Sequence, residues 1–304
     1  MRSGRGAGYR LLGSGFDYLL HTRPAEWPVM AAHTFAGYLL AVGLEGAWRG
    51  ERLGAALLGL TLWVVCLNGG TLALNSAYDR DEGDIAYLRN PPPPPRHLAS
   101  FGFALMVAGL LAAWVLPTGY KVAYGICLAL SVLYSVPPFR LKAVPGADWV
   151  INMWGFGTFT PYAGWAATGR ALDPMHAILL LAFCPLFAAL YPLTQIYQFE
   201  EDSRRGDRTL ARSLGVKRSL LVSIGASVIA FCLFSVSASL ADWRVADLWR
   251  WVALAVSAAA WAVILLGWLR RHRHMSPGDH QRGMYQALGA WAVTDIAVVL
   301  AWAV

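Results

Sequence analysis

The sequence predicts an all-α polytopic membrane protein, with nine transmembrane helices bundled around a central cavity and the N-terminus in the cytoplasm. Three observations predict it. Of 304 residues, 57% are hydrophobic and 14% charged, with a mean hydropathy of +0.46; soluble domains carry about 25% charged residues. Nine apolar runs approach the roughly 20 residues that a helix needs to cross a bilayer. Nineteen of the 25 Lys and Arg fall on the N-terminal segment and the loops after every second run, against six on the alternate loops. The positive-inside rule reads those two sets as cytoplasmic and outer. Residues 1–304 are therefore one transmembrane domain. A soluble enzyme, a disordered tail protein and a secreted disulfide scaffold are excluded. The net charge of +7 belongs to cytoplasmic loops facing lipid, not to nucleic-acid binding.

In chain order, residues 1–26 form a cytoplasmic N-terminal segment with no removable signal peptide. The runs follow at roughly 27–44, 53–77, 99–116, 119–136, 147–168, 176–198, 219–240, 248–269 and 284–304. Cys66, Cys127, Cys184 and Cys232 sit far apart inside apolar runs and read as small buried hydrophobes. The long polar loops are 78–98 and 199–218, four runs apart and both cytoplasmic. Arg270 to His274, after the eighth run, reads as a cluster facing lipid headgroups.

The second run ends in Asn75-Ser76-Ala77-Tyr78-Asp79-Arg80-Asp81-Glu82-Gly83-Asp84. Four acids at a membrane boundary are costly without a counter-ion, and acids at a helix C-terminus oppose its dipole. A hard cation such as Mg²⁺ removes both penalties, because it takes carboxylate oxygens and shares phosphate oxygens. At 100° per residue, Asn75, Asp79 and Glu82 lie within about 60° of one another, while Asp84 turns about 140° from Asp79. Asp84 joins them only if the helix breaks at Gly83, so a continuous helix favours Glu82. Pro91 to Pro95 then form a stiff extended segment, either a strap over the cytoplasmic mouth or a plain spacer.

The sixth run ends in a second polar cluster. Gln195, Gln198 and Asp202 fall within about 60° of each other on a helix, and Glu201 sits one turn from Gln198. Polar groups near spans usually face a bundle interior, so the two clusters are expected to share one cavity. Between them, after the fourth run, lies Tyr134-Ser135-Val136-Pro137-Pro138-Phe139-Arg140-Leu141-Lys142. Its prolines stop the helix. Arg140 and Lys142 then stand at the same membrane face as the acids, where cations suit a polyanion such as diphosphate.

These segments together resemble the UbiA superfamily of intramembrane prenyltransferases. That family has nine helices, an Asn-x-x-x-Asp-x-x-x-Asp motif after helix 2 and a second aspartate motif after helix 6. Asn75 and Asp79 match the first. The Tyr134 to Lys142 stretch, Gly206-Asp207-Arg208-Thr209-Leu210 with Leu214-Gly215, and Arg23-Pro24 with Trp27 are similar to further family segments. Two positions depart from it. Gly83 stands where the first motif's third acid belongs, and Gln198 stands four residues before Asp202, where an aspartate is expected; Gln195 lies where some members carry another.

The resemblance implies catalysis centred on Asp79 and Asp202, with Mg²⁺ held among Asn75, Asp79, Glu82, Asp84, Gln198, Glu201 and Asp202. Arg140 and Lys142 would bind the diphosphate of a prenyl donor, and Tyr134 and Arg23 would contact substrate. It further implies transfer of the isoprenyl group, within the membrane, to a small aromatic or other lipid-precursor acceptor. The acceptor itself is not readable. The protein would be integral to the membrane, the inner or plasma membrane if bacterial, with lipid around it and both motif loops facing the cytoplasm. Two other readings stay open at this stage: transfer of a sugar phosphate to a lipid phosphate, and an ion-coupled transporter using Asp148 and Asp295.

Overall fold

The computed structural model describes residues 2–48, 51–79, 88, 90–199, 203 and 208–304. Two short helices, α1 (Arg2–Leu12) and α2 (Gly15–His21), precede the first apolar run. The run itself is α3 (Trp27–Val42), which opens with Pro28, whose missing amide is not needed in a first turn, and stops at Gly43 with φ 72°. The second run is one continuous rod: α4 (Glu51–Thr61), a π-helical segment Leu62–Asn68, then α5 (Gly69–Asp79). After it come α6 (Leu98–Ala112) and α7 (Thr118–Ser135). The fifth run is α8 (Ala147–Asn152), a π-helical segment Met153–Phe159, and α9 (Thr160–Ala166). The rest are α10 (Pro174–Ile196), α11 (Leu210–Leu240, kinked at Gly215), α12 (Leu248–Arg271) and α13 (Pro277–Ala303).

Each expected run thus has a helical counterpart among the described residues. Six stretches are long and apolar enough to cross a membrane: Arg52–Asp79, Leu98–Val115, Pro174–Ile196, Leu210–Leu240, Leu248–His274 and Pro277–Ala303. By contrast α3 has 16 residues, about 24 Å at 1.5 Å each against a hydrocarbon core of about 30 Å. The fifth run is broken for a local reason. Pro161 has no amide to offer the carbonyl of Gly157, four residues back. That carbonyl is met instead by His33 Nε2 of α3, at 3.4 Å. The same substitution occurs in α10, where Pro192 releases the carbonyl of Ala188 and the indole of Trp149 donates to it at 2.8 Å. In hydrocarbon no water is present to take a freed carbonyl, so a neighbouring helix must.

The helices touch where side chains are smallest. A Cβ on Gly37 of α3 would lie 1.7 Å from the Pro161 carbonyl oxygen, and one on Gly164 of α9 would lie 1.8 Å from that of Thr34. On the other side of the rod, Gly70 of α5 and Gly102 of α6 abut, each 2.7 Å from the other's carbonyl by the same measure. Close backbone approach through small residues is how membrane helices gain packing energy. Farther along α3, His33 Nδ1 lies 3.0 Å from an Asp295 oxygen of α13, and Trp291 Nε1 donates to the same carboxylate at 3.1 Å. Helices α3 and α13 are joined there.

Gly164→Ala should therefore lower the melting temperature of the detergent-solubilised protein by several degrees, since forced overpacking costs about 1–3 kcal/mol or more. Gly225→Ala on α11, where no atom lies within 4 Å, is the control and should leave it unchanged or slightly raised. Equal melting temperatures for wild type and Gly164→Ala would show that this contact is not tight.

Candidate active site

The site is built where α5 ends. Asn75 and Asp79 are one turn apart on that helix, as the spacing predicts, and the described part of α5 closes at Asp79. A second element reaches them from the turn after α7. There the chain adopts φ 36° at Arg140, a left-handed conformation that costs a non-glycine residue on the order of 1 kcal/mol. The following 3₁₀ turn, Leu141–Ala143, carries Lys142 inward. Lys142 Nζ donates to Asn75 Oδ1 at 3.2 Å and is ion-paired with Asp79 Oδ1. Arg140 Nη2 lies 3.4 Å from the same oxygen. The Asp79 side chain is 6% exposed and that of Lys142 9%.

Sequence reasoning assigned the acids to a metal and the cations to a phosphate. The structure brings Asn75 and Asp79 together with both cations in one cluster, a single carboxylate facing Arg140 and Lys142. Two oxygens, of Asn75 and Asp79, already converge on a single cationic atom, so the pair fits a small hard cation of the Mg²⁺ kind.

Arg23 approaches from the other side. Held at φ 52° just before α3, it is buried, and its Nη2 donates to Ser76 Oγ at 3.4 Å. Tyr134, near the end of α7, shares a 2.9 Å hydrogen bond with the hydroxyl of Tyr191 on α10. Near the N-terminal edge of α3, burial pushes the Glu26 carboxyl up, against the pull of Arg23. Burial pushes the His21 imidazole down, which keeps it neutral. His21 Nε2 donates to the Pro92 carbonyl at 3.1 Å, and Arg5 donates to that of Asn90 at 3.0 Å. The proline segment is thus tied at its start to α1 and α2.

Of the second cluster, Gln195 and Gln198 are among the described residues. Helix α10 ends at Ile196, and Gln198 closes a tighter turn, its amide bonded to the Gln195 carbonyl at 3.0 Å. Gln198 Nε2 donates to the hydroxyl of Tyr197 at 3.0 Å. Glu82, Asp84, Glu201 and Asp202, also expected at the metal, lie outside the described residues. Among the described residues no three His, Cys, Asp or Glu gather in a metal-binding group.

An apolar cavity of about 140 Å³ opens beneath Asn75. Its walls come from α3, the α4–α5 rod, α7 and the fifth run, and include Met30, Trp63, Leu67, Cys127, Leu130 and Phe156. Both π-helical segments face it, through Trp63, Leu67 and Asn68 on one side and Gly155 and Phe156 on the other. Single π turns inside α-helices often occur at functional sites. A polar stripe descends from Asn75 through Thr71 to Asn68, which is buried. Sequence reasoning missed this stripe. Its signal was three polar residues at three- and four-residue spacing inside an apolar run.

Lys142→Met removes the cation that occupies Asp79 while leaving Arg140. The ligand-free protein should lose stability on the order of 2 kcal/mol, less than the 3–5 of a fully buried pair because one cation remains. Mg²⁺ should then raise the melting temperature of Lys142→Met more than that of wild type. Equal Mg²⁺ shifts would show that Lys142 and the metal do not compete for the same oxygens.

Comparison with known proteins follows the same lines. A chloroplastic chlorophyll synthase of Arabidopsis thaliana is 26% identical over 219 residues, covering 67% of this chain and 55% of that protein. A protoheme IX farnesyltransferase of Alkalilimnicola ehrlichii is 28% identical over 172 residues, covering 54% and 53%. The chain spans about half the length of these two relatives. Among solved structures, a UbiA homolog from Archaeoglobus fulgidus bound to GPP and Mg²⁺ superposes with TM-score 0.66 at 20% identity, over 93% of this chain and 99% of that one. The fold is shared with that homolog, and the UbiA prenyltransferase family model matches residues 30–291. The chain belongs to the UbiA prenyltransferase family.

Proposed function

We propose that this protein transfers an isoprenyl group from a prenyl diphosphate to an acceptor held in the membrane, in a reaction that requires Mg²⁺. The observation that carries this reading is the meeting of Asn75, Asp79, Arg140 and Lys142 at one end of an apolar cavity. A prenyl diphosphate has the same two halves, a polyanion and a hydrocarbon tail. Asn75 and Asp79 would hold Mg²⁺ together with Asp202, Glu201 and Glu82 or Asp84, Gln198 contributing a weaker amide oxygen. When bound, the metal supplies stabilisation of the departing diphosphate.

This chain's own residues do the rest. Lys142 and Arg140 move from Asp79 onto phosphate oxygens and neutralise charge as the allylic C–O bond breaks, its electron pair leaving with the diphosphate. Arg23 adds a third cation beside Ser76. The tail lies along Met30, Trp63, Leu67 and Leu130, away from water. The Tyr134 ring and Phe156 present π faces to the allylic cation. The acceptor nucleophile then bonds to the carbon that the diphosphate has left. Nine crossings with the N-terminus and both motif loops in the cytoplasm complete the proposal. That arrangement gives the water-soluble end of the donor access from one side.

The transporter reading is disfavoured by hydrogen bonding. The Asp295 carboxylate takes His33 and Trp291, and Asp148 is likewise fully engaged, which leaves neither free to carry an ion.

In nanodiscs, GPP with Mg²⁺ should raise the melting temperature, by about 2.7 kcal/mol of stabilisation at 100 times Kd. EDTA or Asp79→Asn should abolish the shift. Mass spectrometry of a donor and acceptor screen should then detect a prenylated product. Stabilisation by nucleotide sugars or lipid phosphates with none by prenyl diphosphates would move the reading to sugar-phosphate transfer.

A further inference from the structure

The loop carrying the second motif leaves α10 after Ile196 and rejoins the helical bundle at Leu210, the first residue of α11. Both of its ends are bonded to one side chain. Asp148, six residues after Lys142 in sequence, is fully buried. Its Oδ1 accepts from the Gly146 amide at 2.9 Å. Its Oδ2 accepts from Gln195 Nε2 at 2.8 Å and from the Leu210 amide at 3.1 Å. Gln195 is buried too, and its Oε1 accepts from the Ala211 amide at 3.2 Å.

The chemistry of this set is restrictive. A buried carboxylate is tolerable only when hydrogen-bonded donors surround it, and here three N–H groups do, two of them from backbone. The residue between Asp148 and Ala211 must donate at one end and accept at the other, at glutamine's length. An acid at position 195 would set two carboxylates against each other. The amide is therefore demanded by its partners, and both its polar ends are consumed by them.

We infer that Asp148 and Gln195 are positioning residues for donor binding: they fix the two ends of the second-motif loop to the segment that carries Arg140 and Lys142, without themselves touching metal or substrate. The inference rests on the prenyl-transfer reading. Groups that orient ligating residues typically change affinity by about 10–100-fold when removed.

Asp148→Asn keeps the shape but turns a donor toward the Leu210 amide or toward Gln195. Gln195→Glu keeps the length and removes the donor. Both should remain folded, and both should weaken GPP binding, measured by calorimetry in saturating Mg²⁺, by about tenfold or more, with a matching rise in the Mg²⁺ needed for half-maximal binding. The double variant Asp148→Asn with Gln195→Glu restores one donor–acceptor pair in reversed polarity and should recover part of the affinity, which a role confined to general stability would not produce. Folded single variants with wild-type GPP affinity would overturn the inference. So would loss of the folded protein in both, which would assign the pair to the fold instead. Failure of wild type to bind GPP at all would defeat the prenyl-transfer reading, and the positioning role of Asp148 and Gln195 with it.

Discussion

A carboxylate drawn out of water at a membrane boundary must have a cation beside it. Asp79 meets that constraint with Lys142 and Arg140, and the architecture around the cavity is what brings them there. The prolines after α7 end that helix, a left-handed Arg140 turns the chain, and a short 3₁₀ turn aims Lys142 at the end of α5. The Asp79 carboxylate is thereby compensated, and the second cation, Arg140, leaves positive charge that suits an incoming polyanion. Exchanging Lys142 for a divalent metal keeps a cation on Asp79, adds one positive charge there and frees the ammonium for phosphate.

The same rule, that a polar group in a dry interior needs a partner, shapes the helices themselves. Pro161 and Pro192 each release a carbonyl that a side chain from another helix takes: His33 for Gly157, Trp149 for Ala188. These bonds tie α3 to the fifth run and the start of the fifth run to α10. Of these, α3 and the fifth run also line the cavity. Asp148, adjacent to Trp149, continues the line of contacts to α11.

Much of this was legible in the sequence because hydrophobicity and helical period are local. The apolar runs located every long helix, and the i, i+4 pair Asn75 and Asp79 was placed on one face by arithmetic alone. Arg140 and Lys142 were readable as cations at the right membrane face, but not as partners of Asp79, since that contact joins residues more than sixty apart. The π-helical segments were not legible: a one-residue slip of the hydrogen-bond ladder leaves hydropathy unchanged, and only Gly155, Gly157 and Pro161 hinted at it. Gln195 read only as a member of the second polar cluster, because its role depends on Asp148, which is distant in sequence and read as a candidate transporter acid.

The most direct test of this account is an experimental structure of the protein with Mg²⁺ and a non-hydrolysable GPP analogue. The account predicts a metal about 2.0–2.1 Å from an Asp79 oxygen, with Lys142 Nζ moved off that carboxylate onto a phosphate oxygen. A complex in which the diphosphate binds elsewhere, while Lys142 remains paired with Asp79, would contradict it.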